Sequence, residues 1–160
     1  VIIDGKIVQI DTPDKLYDAP HDREVARLVG DPPMNLIPGT VRSNGAGPSL
    51  ELPFANLRQT DLRNSLASFD VGTEFLFGMH PQDLELDEGG GTKMSFDAEI
   101  AITEPQGDIT ILALKVAGEV LQMVVPEAEG ALHRAGEKVR VRFSPREGRL
   151  FLKDSGILVL

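Results

Sequence analysis

The feature that most constrains this chain is a ladder of short apolar stretches, each cut off by glycine or proline. From residue 36 onward they fall at 36–42, 50–52, 74–79, 84–86, 94–103, 109–116, 119–125, 138–143 and 149–152. Several alternate with period two. In Lys138-Val139-Arg140-Val141-Arg142-Phe143 the apolar side chains face one way and the cations the other, the pattern of a half-buried strand. With 16 Gly and 11 Pro in 160 residues, nearly every connection carries a turn former. Strands at this spacing predict a mainly β fold, a small barrel or sandwich. Residues 57–68 are the one stretch here that predicts a helix or helical turn, with Thr60 as its cap. The loop Asp87-Glu88-Gly89-Gly90-Gly91-Thr92 is acidic, rich in glycine and predicted to be mobile.

The first 35 residues read differently. Asp4-Gly5 between two β-branched runs predicts a hairpin with a type I′ turn. Thr12-Pro13 predicts a cap and first helical position, and the short helix stops before Pro20. A second helix fits 22–29, with Val25, Leu28 and Val29 on one face and Gly30 ending it. Asp31-Pro32-Pro33 then predicts a rigid break and a stiff linker. The domain boundary is placed there, giving units 1–35 and 36–160. It rests on the proline pair and the change of period, since both units are acidic, at net −3 and −6.

A net charge of −9 and an aromatic content of 5% argue against a nucleic-acid partner, because phosphates would be repelled and few rings could stack on bases. Zero cysteines exclude disulfides, thiolate metal sites and a cysteine nucleophile. The apolar runs at 111–114 and 157–160 are far short of the ~20 residues that span lipid. The chain opens on Val1-Ile2-Ile3, which reads as the middle of a strand, so a piece of a longer protein is expected. There is no G-x-x-x-x-G-K-[ST] loop, G-x-S-x-G elbow or H-E-x-x-H motif, so no catalytic, cofactor-binding or metal residue is assigned.

His80 and Asp83 stand three apart, as two ligands of a metal could, but a corner histidine bonded to backbone is the better reading. His21 sits at a helix start, and His133 with Glu137 in a solvated turn. Glu99, Glu104 and Asp108 read as strand-end charges in water. Lys138, Arg140 and Arg142 form a one-sided basic stripe, with Arg146 and Arg149 just beyond. Cross-strand pairing with Glu99 and other acids is the simpler account of the stripe. An anion or an acidic partner is the other.

These residues carry a family resemblance. Asp4-Gly5-Lys6-Ile7-Val8-Gln9-Ile10-Asp11-Thr12-Pro13, Leu16-Tyr17-Asp18-Ala19-Pro20, Val25-Ala26 with Val29-Gly30, and Pro32-Pro33-Met34-Asn35 resemble the end of the nucleotide-binding domain of ABC importer ATPases of the sugar and glycerol-3-phosphate type. Gly78-Met79-His80-Pro81-Gln82-Asp83-Leu84, Ala98-Glu99-Ile100, Glu104, Gly107 and the strand at 136–143 resemble their C-terminal transport-associated OB (TOBE) region. His80 stands where that family usually has Arg, and Gln82 where it usually has Glu.

The resemblance implies an OB-like (TOBE) β domain preceded by a short hairpin and two short helices. It implies a non-catalytic regulatory and dimerisation region of an ATP-binding subunit that powers import of a sugar or glycerol-phosphate-type solute. ATP and Mg would belong to the parent chain, upstream of residue 1, with no cofactor in this stretch. The partners implied are a second copy (homodimer), permease subunits and a regulatory protein, with no nucleic acid. The location implied is cytoplasmic and peripheral, at the inner face of the cell membrane. His80, Gln82, Arg140 and Arg142 are the candidate partner or anion contacts. The alternative is a small-oxyanion sensor, for which Arg140, Arg142 and Thr110 are the candidates.

Overall fold

In the computed structural model, which describes every residue except 44, 46, 64 and 90–92, the ladder becomes two antiparallel five-stranded sheets. Gly90, Gly91 and Thr92 of the acidic loop therefore lie outside the described residues. The chain opens with the hairpin β1 (Ile2–Ile3) and β2 (Lys6–Ile7), then α1 (Pro13–Asp18) and α2 (Arg23–Val29). There follow β3 (Asn35–Ser43), β4 (Pro48–Glu51), β5 (Asn56–Arg58), β6 (Glu74–Met79) and β7 (Glu85–Leu86). The last elements are β8 (Met94–Pro105), β9 (Ile109–Val116), β10 (Glu119–Pro126), α3 (Glu127–Gly130), β11 (Lys138–Phe143) and β12 (Arg149–Leu152). One sheet has the order β10-β9-β8-β11-β7 and the other β12-β6-β3-β4-β5. The predicted class, a small β barrel or sandwich after a hairpin and two short helices, is the one adopted.

Local chemistry accounts for most element ends. Asp4 (φ 49°) and Gly5 (φ 74°) both lie in the left-handed region that a type I′ turn demands. The Asp22 carboxylate caps α2, accepting from the N–H groups of Glu24 and Val25 at 2.9 and 3.0 Å. Thr12 occupies the cap position of α1 without a side-chain bond, so the fixed φ of Pro13 starts that helix. Two expectations need correction. Residues 57–68 do form helical turns, the 3-10 segments Gln59–Leu62 and Ser65–Ser68, but they follow the end of β5 and the cap is not Thr60. Instead the Asp61 carboxylate accepts the Arg58 N–H at 2.9 Å. In α2 the buried residues are Val25 and Ala26, while Leu28 points to solvent, so the helix is rotated from the predicted face.

Both sheets bury their inner faces in one core. Ile37, Leu50, Phe75 and Phe77 come from one sheet, and Phe96, Ile100, Leu112 and Phe143 from the other. Phe96 lies 5.8 Å from Phe143 and 4.5 Å from Phe54, so the phenylalanines pack on each other. Each such burial stabilises the fold by about 1.5–3 kcal/mol.

A smaller cluster of Ala26, Met34 and Phe151 lies between α2 and β12. The proline segment before β3 is therefore packed: Pro32, Met34 and Asn35 are buried, unlike a free-running linker. Gly78 is needed here, since a Cβ would meet Met34 Sδ at 2.5 Å. Pro38 is tolerated inside β3 because odd-numbered residues bond to β6, as Val41 N–H does to the Thr73 carbonyl. Pro38 faces the other side, where pairing with β4 begins only at Thr40. By contrast, nothing in residues 1–19 is buried, and Ile2, Ile7 and Ile10 are exposed.

Candidate functional site

The predicted site residues divide between two places, a corner at His80 and the outward face of β11. The corner is made by β6. Its apolar alternation carries the chain to His80, and Pro81 then fixes φ and starts a 3-10 turn, Pro81–Asp83. The Asp83 N–H closes the turn on the His80 carbonyl at 3.0 Å.

His80 is 4% exposed, and its ring stacks on Tyr17 of α1 with centroids 3.9 Å apart and planes 12° apart. The Tyr17 hydroxyl donates to Gln82 Oε1 at 3.2 Å. Arg149 of β12 donates to the Asp18 carbonyl and holds the Asp18 carboxylate at 4.0 Å. Neither imidazole nitrogen of His80 makes a hydrogen bond of good geometry. The expected backbone contact of this histidine is made with Tyr17, short of good hydrogen-bond geometry, and the stack on the same tyrosine is added to it.

The electrostatics follow from that burial. Desolvation, then the neighbouring Arg149, hold the His80 pKa below the ordinary imidazole range; the Tyr17 backbone and Asp18 pull weakly the other way. Burial, then Glu147, push the Asp83 carboxyl up, against Arg149 and the His80 backbone. Burial, with Asp83 and Asp18 beside it, raises the Tyr17 phenol. His80 in place of Arg has a physical reason here. A fixed cation at 4% exposure would sit beside Arg149.

On β11, Val141 and Phe143 are buried while Arg140 is exposed and Arg142 half-buried, as the alternation predicts. The cations are paired. Arg140 lies 3.5 Å from both the Asp87 and Asp97 carboxylates, and Arg142 donates to Glu85 at 2.9 Å. Lys93, also on Glu85 at 2.6 Å, is the main reason the Glu85 carboxyl stays below its usual range, with Arg142 adding to it. Asp87 is held down by the Ser95 hydroxyl first and the Gly89 N–H next. Glu99 faces Lys138 and Lys115 across the strands. Pairs this exposed contribute about 0–1 kcal/mol each.

Thr110 does not join the arginines. It lies on β9, beyond β8, buried with its hydroxyl donating to Glu127. Glu99, Glu104 and Asp108 are all exposed, as expected. His133 Nδ1 lies 3.1 Å from Glu137, whose carboxyl is lowered by the Arg134 N–H and then by His133.

Three contacts escape sequence reasoning: Tyr17 on His80, Arg149 on Asp18, and Asn35. The Asn35 amide is buried between the sheets. Its Nδ2 donates to the Gln122 carbonyl at 2.8 Å, and its Oδ1 accepts the Gln122 N–H at 2.7 Å. The Pro-Pro-Met-Asn run is unusual in sequence, but nothing local names Gln122 as its partner. A groove of about 560 Å³ opens beside it, between α2 and β10, lined by Arg23, Arg27, Asn35 and Val120.

Two sheets around one core, with paired charges on the outer face of β11, define a small β-barrel module. The comparisons agree. Residues 56–151 match the TOBE domain family, and the chain belongs to it. In sugar-import ABC ATPases this domain is a non-catalytic C-terminal part.

The chain is 29% identical over 157 residues to the alpha-glucoside transport ATP-binding protein AglK of Rhizobium meliloti, covering 97% of this chain and 41% of AglK. It is 26% identical over 159 residues to the xylose/arabinose import ATP-binding protein XacK of Haloferax volcanii, covering 98% and 40%. It is 26% identical over 156 residues to the maltose/maltodextrin import ATP-binding protein MalK of Escherichia coli K12, covering 96% and 42%. The chain thus spans about two fifths of the length of these curated relatives. Among solved structures, the cytoplasmic molybdate-binding protein ModG shares the fold, with a TM-score of 0.55 at 15% identity over 72% of this chain and 94% of ModG. Among the described residues no helix is long and apolar enough to cross a membrane.

Proposed function

We propose that this chain is the regulatory and dimerisation region of an ATP-binding subunit that powers import of a sugar or glycerol-phosphate-type solute. The observation that carries the reading is the extent of likeness. Relatives named as sugar-transport ATP-binding proteins align over 96–98% of the chain, through the hairpin and helices as well as the barrel. In this reading residues 1–35 end the ATP-binding domain and 36–160 form the regulatory body. ATP and Mg are bound elsewhere in the full-length protein, which sits at the inner face of the membrane against permease subunits.

The exposed apolar side chains of Ile2, Ile7 and Ile10 support a further body packed against the hairpin. Gln82, Arg140 and Arg142 remain the contacts for a second copy or a regulatory protein, while His80 is turned inward on Tyr17. Two measurements test the reading. Sedimentation across a wide concentration range should show self-association, and a strict monomer at high concentration removes the dimer. ATP turnover by the purified chain removes the non-catalytic role.

An oxyanion sensor is the second reading, favoured by the shared fold with ModG, solved with molybdate bound. Here Arg140, Arg142 and Thr110 already hold carboxylates, so an oxyanion would have to displace Asp97, Glu85 or Glu127. Calorimetry with molybdate, sulfate and sugar phosphates decides it: heat of binding supports the sensor and silence removes it.

A further inference from the structure

Residues 1–19 contain no buried residue. Among the described residues, the hydrogen bonds and ion pairs that tie them to the β body run from Tyr17 to Gln82 and from Arg149 to Asp18. Beside these lies the Tyr17–His80 stack, in which the His80 ring is shut off from water and neither nitrogen makes a hydrogen bond of good geometry. A neutral ring leaves one N–H donor unmet in that setting, whereas an imidazolium leaves two N–H donors and a charge, at a larger cost. We propose that this corner is a proton-sensitive latch. Neutral His80 seats Tyr17, and with it residues 1–19, on the β body; protonation of His80 unseats them.

The titratable groups at this corner act on His80 directly or through Asp83. They are Tyr17 and Asp18 from α1, Asp83 from its own turn, Glu147 from the turn before β12, and Arg149 from β12. The face of Tyr17 and its backbone both favour a cation, but burial and Arg149 alongside outweigh them. Once unseated, the ring enters water and its affinity for a proton returns toward the ordinary value near ~6.5.

The sign is fixed by linkage. The seated form binds the His80 proton less tightly than the unseated form. Seating is therefore complete above the ordinary imidazole range. It weakens as pH falls through that range, by up to about tenfold per pH unit, until the seated form itself takes the proton. Asp83 acts in the opposite sense and lower down. Its raised pKa means the seated form holds that proton more tightly, which favours seating in the carboxylate range. Tyr17, also raised, loosens the seat only in strong alkali.

The chain supplies its own reporter, for it has one Tyr and no Trp. Tyrosine fluorescence and its quenching by acrylamide therefore read Tyr17 alone. Between about pH 7.5 and 5.5, acrylamide access to Tyr17 and protease cleavage within residues 1–19 should both rise, by up to about tenfold across the window. H80F keeps a flat ring that cannot take a proton, and its response should be level across the window. D83N should keep the wild-type response. H80L, lacking both ring and proton, should leave Tyr17 accessible at every pH. A wild-type transition that persists in H80F overturns the latch. If H80F does not fold by circular dichroism, NMR titration of the wild-type His80 decides. Protonation with no change in Tyr17 access overturns the proposal, and coincident transitions uphold it. The outcome does not depend on which body covers the hairpin.

Discussion

Replacing Asn35 with Ala tests whether one side chain joins the two sheets. Asn35 is 8% exposed and makes two bonds to the backbone of Gln122, at 2.8 and 2.7 Å. A hydrogen bond contributes a net ~0.5–1.5 kcal/mol, so the pair is worth about 1–3 kcal/mol. Gln122 is only half-buried, so water can reach its freed N–H and carbonyl, which places the expected loss near the middle, about 2 kcal/mol. With a urea slope of ~1–3 kcal/mol/M, the unfolding midpoint should fall by about 1 M. Hydrogen exchange of the Gln122 amide should accelerate by itself, ahead of its β9 neighbours.

Asn35→Asp sharpens the test. It keeps an acceptor for the Gln122 N–H but sets a carboxylate oxygen against the Gln122 carbonyl. At pH 7 it should lose more than Asn35→Ala, and part of the difference should return in acid. An Asn35→Ala variant within about 0.5 kcal/mol of the parent, with Gln122 exchange unchanged, would show that this side chain does not join the sheets.

Gly148→Ala places a Cβ 2.2 Å from the Phe77 ring and should destabilise by about 1–3 kcal/mol, with part recovered when Phe77→Leu is added; chemical denaturation of both variants checks it. Asp22→Ala should lose about 0.5–2 kcal/mol and speed exchange at Glu24 and Val25, whereas Asp22→Ser should hold both near the parent. Asp83→Asn should stabilise the fold at neutral pH, because the raised pKa marks a carboxylate that burial disfavours. That gain should fade as pH falls into the carboxylate range, and a melting series against pH would show it. Arg142→Gln should shift stability by less than about 1 kcal/mol, and by less still in high salt; a loss beyond 2 would mean the Glu85 pair acts as a buried one.

Most strands were legible because their periodicity is local. β6 and β11 fall where alternation and turn residues place them. β5 was not, since three residues carry too little pattern to separate from the 3-10 turn that follows. The choice of Ala26 over Leu28 for the buried face of α2 depends on Met34 and Phe151, which only the fold brings near. The basic stripe was readable as a stripe. Its partners Glu85 and Asp87 were not, because β7 is a two-residue strand. At the corner, His80 and Gln82 stood out as residues, but their use depends on Tyr17, 65 positions before Gln82. Asn35 and Gln122 are 87 apart, and Asp18 and Arg149 are 131 apart. Such pairings leave no trace in spacing; the topology makes them.

The position of Asn35 has a consequence beyond holding sheets together. β10 ends its sheet, and the N–H and carbonyl of Gln122 point away from β9 at the middle of that rim. A bare rim invites a stray chain to add itself and begin an ordered stack. One carboxamide, copying the paired donor and acceptor of a peptide unit, fills the central berth, so a strand laid along this rim would have to displace it.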